Sequence, residues 1–178
     1  MKDSLALIVE SLLFASGDPL TPRQIHNVLP EKSLKEIKEV LGELKEEYEG
    51  MKRSFTLVEV AEGYQFRSLP RYKPYIANLL GSTSTNLSKP ALETLTIIAY
   101  KQPIIRQEIE RLRGVDVGGI LRMLLQKGLI KIVGRKPLPG RPIIYGTTKS
   151  FLETFDLKDL SSLPSLKEIE ELDNGQQS

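Results

Sequence analysis

The 178-residue sequence predicts a mostly α chain with small β-hairpins, an α+β fold in which one plan is built twice. Three observations carry that expectation. Three helical segments followed by a hairpin occur in each half. Pro19-Leu20 with Ile25 is echoed by Pro103-Ile104 with Ile109 at an offset of 84, and a small polar stretch, Gly81-Ser82-Thr83-Ser84-Thr85-Asn86, separates the copies.

In the first half, Leu5, Ile8, Val9, Leu12 and Leu13 recur on one helical face, and Gly17-Asp18-Pro19 stops that helix. Thr21 stands as N-cap before Pro22, opening a short helix through Ile25 and Val28 to Leu29, with Pro30 in the turn beyond. Ser33 caps a third helix with Leu34, Ile37, Val40, Leu41, Leu44 and Tyr48 on its apolar face, ending near Gly50. Residues 55–60 and 64–68 then read as strands joined by Ala61-Glu62-Gly63.

The second half repeats the order. Ser88 caps a helix with Leu92, Leu95, Ile98 and Ala99 inside, ended by Gln102-Pro103, and a short helix begins at Arg106. Asp116 caps the third helix, with Val117, Ile120, Leu121, Leu124 and Leu125 on its buried face and Gly128 at its stop. Residues 129–133 and 143–145 form a hairpin around the long loop 134–142, the wing, and Thr147 or Thr148 caps a last short helix through Phe151, Leu152 and Phe155. Helix, helix, helix, hairpin is winged-helix order, so the expectation is two tandem winged-helix domains. They span residues 1–80 and 88–160, joined by a linker at 81–87 and followed at 161–178 by an acidic tail expected to be disordered.

Composition bounds the function. With 40% hydrophobic and 27% charged residues the chain can bury a core, yet domains this small bury a low fraction of their surface and gain from dimerisation or interdomain packing. The absence of cysteine removes disulfides, thiolate nucleophiles and cysteine-bound zinc, and fits a reducing cytosol. The apolar run 5–15 is too short and too periodic for a membrane span or signal core, so no membrane association is expected.

Charge is unevenly divided. Residues 1–80 hold 11 Lys and Arg against 12 Asp and Glu, residues 81–150 hold 12 against 4, and residues 151–178 hold 2 against 7. The overall +2 therefore hides a second domain of net +8, which raises a DNA-binding hypothesis. The third helix of each domain tests it, because that element reads bases in helix-turn-helix proteins. In the first domain its solvent face offers Lys35 among Glu36, Glu39, Glu43, Glu46 and Glu47, which repel phosphate. In the second it offers Gly118, Gly119, Arg122, Met123 and Gln126, of which Arg122 and Gln126 alone suit bidentate base contacts. Two glycines at a helix start weaken the helix but admit another backbone closely, which favours a protein partner.

No constellation for chemistry emerges. His26 is the only histidine and has no neighbouring nucleophile or metal-ligand spacing, and no Gly-x-Ser-x-Gly elbow occurs. The loop Gly134 to Gly140 is followed by Arg141-Pro142 where a phosphate loop needs Lys-Ser or Lys-Thr. Glu43, Glu46, Glu47 and Glu49 read as a solvated helix face. No catalytic, cofactor or metal site is expected. Tyr100 and Met123 are either interface anchors or peripheral core, and Arg135 and Arg141, held among prolines, are better suited to contact an anionic partner than to stand as solvated loop charges.

These residues also carry a resemblance. The run 92–95 continuing through 98–104 (Leu-Glu-Thr-Leu, then Ile-Ala-Tyr-Lys-Gln-Pro-Ile), Gly114-Val115-Asp116, Ile120-Leu121-Arg122, Gly128-Leu129-Ile130, and the wing with Tyr145-Gly146-Thr147-Thr148 resemble the segregation and condensation protein B family. The first half matches through Glu10 to Gly17 and Pro19-Leu20. The resemblance implies a non-enzymatic cytoplasmic, nucleoid-associated homodimer, paired largely through its first domain, that binds the kleisin, segregation and condensation protein A, and reaches the SMC ATPase through it. Candidate kleisin-binding residues are Tyr100, Arg122, Met123, Arg135 and Arg141; the dimer-interface residues are not assigned. A winged-helix DNA-binding regulator is the alternative, and an enzyme with a site assembled across domains is a third reading. Direct DNA binding is expected to be weak and sequence-independent.

Overall fold

The computed structural model describes residues 4–81 and 87–165, whose contacts form two compact units: residues 4–81 with 156–165, and residues 87–155. The expected linker lies mostly at 82–86 and the expected disordered tail mostly at 166–178, outside the described residues. Both units are winged helices, mostly α with small antiparallel hairpins.

The first unit runs α1 (Leu5–Ala15), α2 (Pro22–Val28), α3 (Leu34–Gly50), β1 (Phe55–Val60), β2 (Gly63–Ser68), a 3-10 turn (Pro70–Tyr72) and α4 (Lys73–Leu80). Its start signals act as the sequence suggests. Thr21 with Gln24, and Ser33 with Glu36, each form a reciprocal capping box. Ser33's backbone and hydroxyl hydrogen bonds hold the Glu36 carboxyl below its usual range. Val9, Leu13, Ile25, Ile37, Leu41, Leu44 and Leu57 form the core, where the apolar faces of three helices meet the hairpin. Tyr48, Phe55 and Phe66 make an aromatic cluster with centroids 4.7 to 5.8 Å apart, and the Tyr48 hydroxyl donates to Glu10. That bond, with burial, pushes the Tyr48 phenol up to about 12.

Two backbone details complete this unit. Leu20 and Tyr64 exchange backbone hydrogen bonds of 3.0 and 2.9 Å, a one-residue third strand. The hairpin turns on Ala61 and Glu62, both at positive φ (49° and 64°), a conformation non-glycine residues adopt only against a steric cost. Residues 157–158 hold the turn: the Ala61 and Glu62 amides donate to the carbonyls of Leu157 and Lys158 at 2.9 and 2.7 Å. Lys158 pairs with Glu59 at 3.0 Å and Asp156 with Arg67 at 2.7 Å. Residues 156–160, read from sequence as the end of the second domain, therefore contribute to the first unit.

The second unit comprises α5 (Lys89–Lys101), β3 (Ile104–Ile105), α6 (Arg106–Arg113), α7 (Gly118–Gln126), β4 (Ile130–Arg135), β5 (Ile143–Thr147) and α8 (Lys149–Thr154), with sheet order β3-β5-β4. Ala91, Leu95, Ile98, Ile109, Leu121, Leu124 and Ile130 are buried. Leu92, expected inside, is exposed: Ala91 and Thr94 take the inward positions of α5 instead, the Thr94 hydroxyl donating to Pro90 O at 2.8 Å. Ser88 is extended before α5 without a side-chain cap bond, and Val117 rather than Asp116 is the N-cap of α7. The Gln102 side chain ties the end of α5 to β5, accepting from the Thr147 amide at 2.7 Å and donating to the Ala99 carbonyl at 3.1 Å. Ile104 pairs with Tyr145 as Leu20 pairs with Tyr64, so the repeat extends to the third strand.

Candidate partner-binding surface

Two surfaces stand out, one in each unit. In the second unit, the stretch 117–152, covering α7, the hairpin, the wing and the start of α8, contains no Asp or Glu and seven Lys or Arg. The four acids earlier in the unit are all engaged. Glu110, at 2.7 Å, and Asp116 both hold Arg106, Glu93 holds Arg113, and Glu108 holds Lys136 at 2.9 Å. Three cations thus absorb four carboxylates. Among the described residues, no carboxylate pairs with Arg122, Lys127, Lys131, Arg135 or Arg141, all exposed. An uncompensated cationic surface attracts anionic partners at range and repels a second copy of itself.

The wing is preorganised. Lys136 N donates to Pro142 O at 2.9 Å, Arg141 N to Leu138 O at 2.8 Å, and the Arg135 guanidinium to Arg141 O at 3.1 Å. Gly140 and Arg141 turn the tip at positive φ (78° and 41°). Lys136 anchors the wing's base to Glu108, whose carboxyl is lowered first by the Ile105 amide and then by Lys136. Rigid loops lose less entropy on binding.

Of the five candidate residues, the structure joins Arg135 and Arg141 directly. Arg122 and Met123 lie on α7, Arg122 exposed and Met123 half-buried, and Tyr100 is half-buried on α5. The reading of Gly118-Gly119 as an opening for a foreign backbone needs correction at Gly118. A Cβ there would stand 3.0 Å from the Arg106 guanidinium, so that glycine makes room for the chain's own Arg106–Asp116 pair. Gly119 has open space around its Cβ position. His26 sets its Nδ1 2.8 Å from the Lys32 carbonyl, a structural hydrogen bond at the end of α2.

The first unit exposes apolar side chains that sequence reasoning left unassigned. Leu7 and Phe14 project from α1, Phe14 81% exposed, and Tyr75, Leu79 and Leu80 from α4, Leu79 83% exposed. No residue of α4 is buried. Tyr75, Leu79 and Leu80 recur at helical spacing between Pro74 and Gly81, a signal present in the sequence. Exposed apolar surface on this scale marks interaction sites. Among the described residues, no group of three or more His, Asp or Glu could hold a metal, and no helix is long and apolar enough to cross a membrane.

Two winged helices, one exposing apolar side chains on α1 and α4 and the other a stiff cationic wing, define a binding protein whose exposed features are shaped for macromolecular partners. Residues 7–166 match the family described as segregation and condensation complex subunit ScpB, and the chain belongs to that family. It is 47% identical over 168 residues to segregation and condensation protein B of Syntrophotalea carbinolica, covering 94% of this chain and 85% of the relative. Among solved structures it is similar to ScpB from Mycobacterium tuberculosis, at 31% identity over 85% of this chain and 94% of that one, TM-score 0.40. It also resembles a crystallised dimer of ScpB N-terminal domain complexed with ScpA peptide, at 37% identity over 42% of this chain and 91% of that one, TM-score 0.38.

Proposed function

We propose that this chain is a non-catalytic subunit of a bacterial SMC condensin, cytoplasmic and nucleoid-associated, that dimerises through its first unit and captures the kleisin with its second. The kleisin, segregation and condensation protein A, then links it to the SMC ATPase. Family membership across residues 7–166 supports the assembly. The observation that carries the capture surface is the carboxylate-free stretch 117–152 with its preorganised wing. A kleisin segment with apolar anchors and acidic flanks complements it, the anchors supplying affinity and the charges orientation and encounter rate. Tyr100, Arg122, Met123, Arg135 and Arg141 are the proposed contacts. The exposed residues of α1 and α4 support the dimer.

Pull-down of the kleisin by an Arg135→Glu, Arg141→Glu variant tests this. Capture should fall about tenfold or more, as expected on reversing two interface charges, while circular dichroism and light scattering stay unchanged. Undiminished capture would remove the wing from the site. Because a ScpA peptide accompanies the N-terminal domain in the related crystal, a second arm excises residues 88–155 and keeps the chain from 156 onward, since residues 156–158 hold the hairpin of the first unit. Full capture by that shortened chain would place the kleisin on the first unit alone. The same cations also support a weak, sequence-independent contact with DNA phosphates.

A further inference from the structure

β4 is an edge strand. It pairs with β5 on one side, and among the described residues its backbone makes no hydrogen bond on the other. In an antiparallel pair, alternate residues aim N–H and C=O away from the partner, so β4 presents a row of free donors and acceptors. Most edges of this kind are blunted by polar side chains. Here Ile132 and Val133 are 54% and 55% exposed, both β-branched, with Lys131 and Arg135 flanking them. The register skips Val133 between the pairs Ile132↔Tyr145 and Gly134↔Ile144, a bulge that strengthens local twist.

We propose that the open edge of β4 accepts an extended segment with alternating apolar and acidic side chains as a fourth strand of this sheet. The occupant follows from charge. Pairing of β4 with β4 of a second copy would bring Lys131 and Arg135 against the same cations, which is repulsive, whereas an acidic strand places carboxylates against them. No acid in 117–152 competes for those contacts. Main-chain bonds supply affinity that depends little on sequence, and Ile132 and Val133 supply the apolar contact that selects alternate side chains. The proposal rests on the reading that the second unit captures the kleisin, and gives that capture its mode: strand addition at β4.

Hydrogen exchange of the full chain decides it, with and without saturating kleisin and, separately, with a synthetic peptide alternating valine and glutamate. Exchange at 130–135 should slow by about tenfold or more, as strand pairing buries the edge amides. Lys131→Glu should weaken binding of either probe by about tenfold, and Val133→Asp, also at an exposed position, should do the same. Capture of the kleisin at unchanged affinity with no slowing at β4 would overturn strand addition while leaving the capture reading intact. Failure of the kleisin to bind at all would sink the capture reading, and the peptide arm would then judge the edge alone. Slowing already present in the free protein and abolished by removing residues 166–178 would assign the edge to the chain's own tail and overturn the proposal. Concentration-dependent slowing without a probe would assign it to a second copy and overturn the proposal equally.

Discussion

At the scale of single residues, Gly63 is required by space rather than by backbone freedom. A Cβ there would sit 2.8 Å from the carbonyl carbon and oxygen of Leu20, the residue that bridges to Tyr64. Gly63→Ala should therefore destabilise the protein by about 1–3 kcal/mol through overpacking against backbone. Gly42 lies within α3 with nothing near its Cβ position, so Gly42→Ala should stabilise by about 0.5–1 kcal/mol. Urea denaturation of the pair measures both, and shifts of the same sign would refute the steric account. In the sequence Gly63 stands in the connection between the two strands; in the structure the left-handed positions of that turn fall on Ala61 and Glu62 instead. The role of Gly118 is equally hidden in the sequence, because the Arg106 side chain that fills its space is twelve positions away and only the fold brings them together.

At the scale of elements, the local grammar is legible at α2, α3 and α8, whereas at α5 and α7 the apolar stripe is legible but Ser88 makes no side-chain cap bond and Asp116 yields the N-cap to Val117. Thr21-Pro22 and Ser33 announce α2 and α3, and Thr148 caps α8 through its hydroxyl to the Phe151 amide. Where one signal is missing, the reading falters. β3 is two residues long and exists only through pairing with β5, a non-local cause. α4 does carry helical spacing and boundaries in its sequence, but it buries none of its residues, so its apolar stripe marks a surface rather than a core. Its exposed face yields a prediction: Phe14→Glu and Leu79→Glu should each shift the chain from dimer toward monomer by light scattering. Their helicity should be retained, since both side chains are already in solvent. A dimer unaffected by either change would move the interface away from α1 and α4. The Ser33–Glu36 box has a pH signature as well. Its carboxyl is lowered in the folded state, so its contribution is complete above the unfolded value near 4.5 and is lost as pH falls through the folded one.

At the scale of the whole chain, charge partition is legible from counting, but its pairing is not. The sequence shows twelve cations against four acids in 81–150; only the structure reveals that three cations consume all four acids, so that Arg122, Lys127, Lys131, Arg135 and Arg141 are among the cations that pair with no carboxylate of the described residues. Such a surface should bind duplex DNA without sequence preference, losing roughly tenfold or more of its affinity between about 50 and 200 mM salt. Titration at those two concentrations checks it. A preference for one duplex at about 10⁻⁸ M or tighter would instead favour a transcriptional regulator. The division into units is not legible at the far end, where nothing in the composition marks the return of residues 156–165 to the first unit. That return orders the protein's birth on the ribosome. The Ala61-Glu62 turn meets its partners, Leu157 and Lys158, only after the intervening chain, all of residues 84–155 included, has been translated, a delay of roughly 5–19 s at about 5–20 residues per second. The unit begun first is finished last: its hairpin waits for a clasp that is translated only once the whole of the second unit has been.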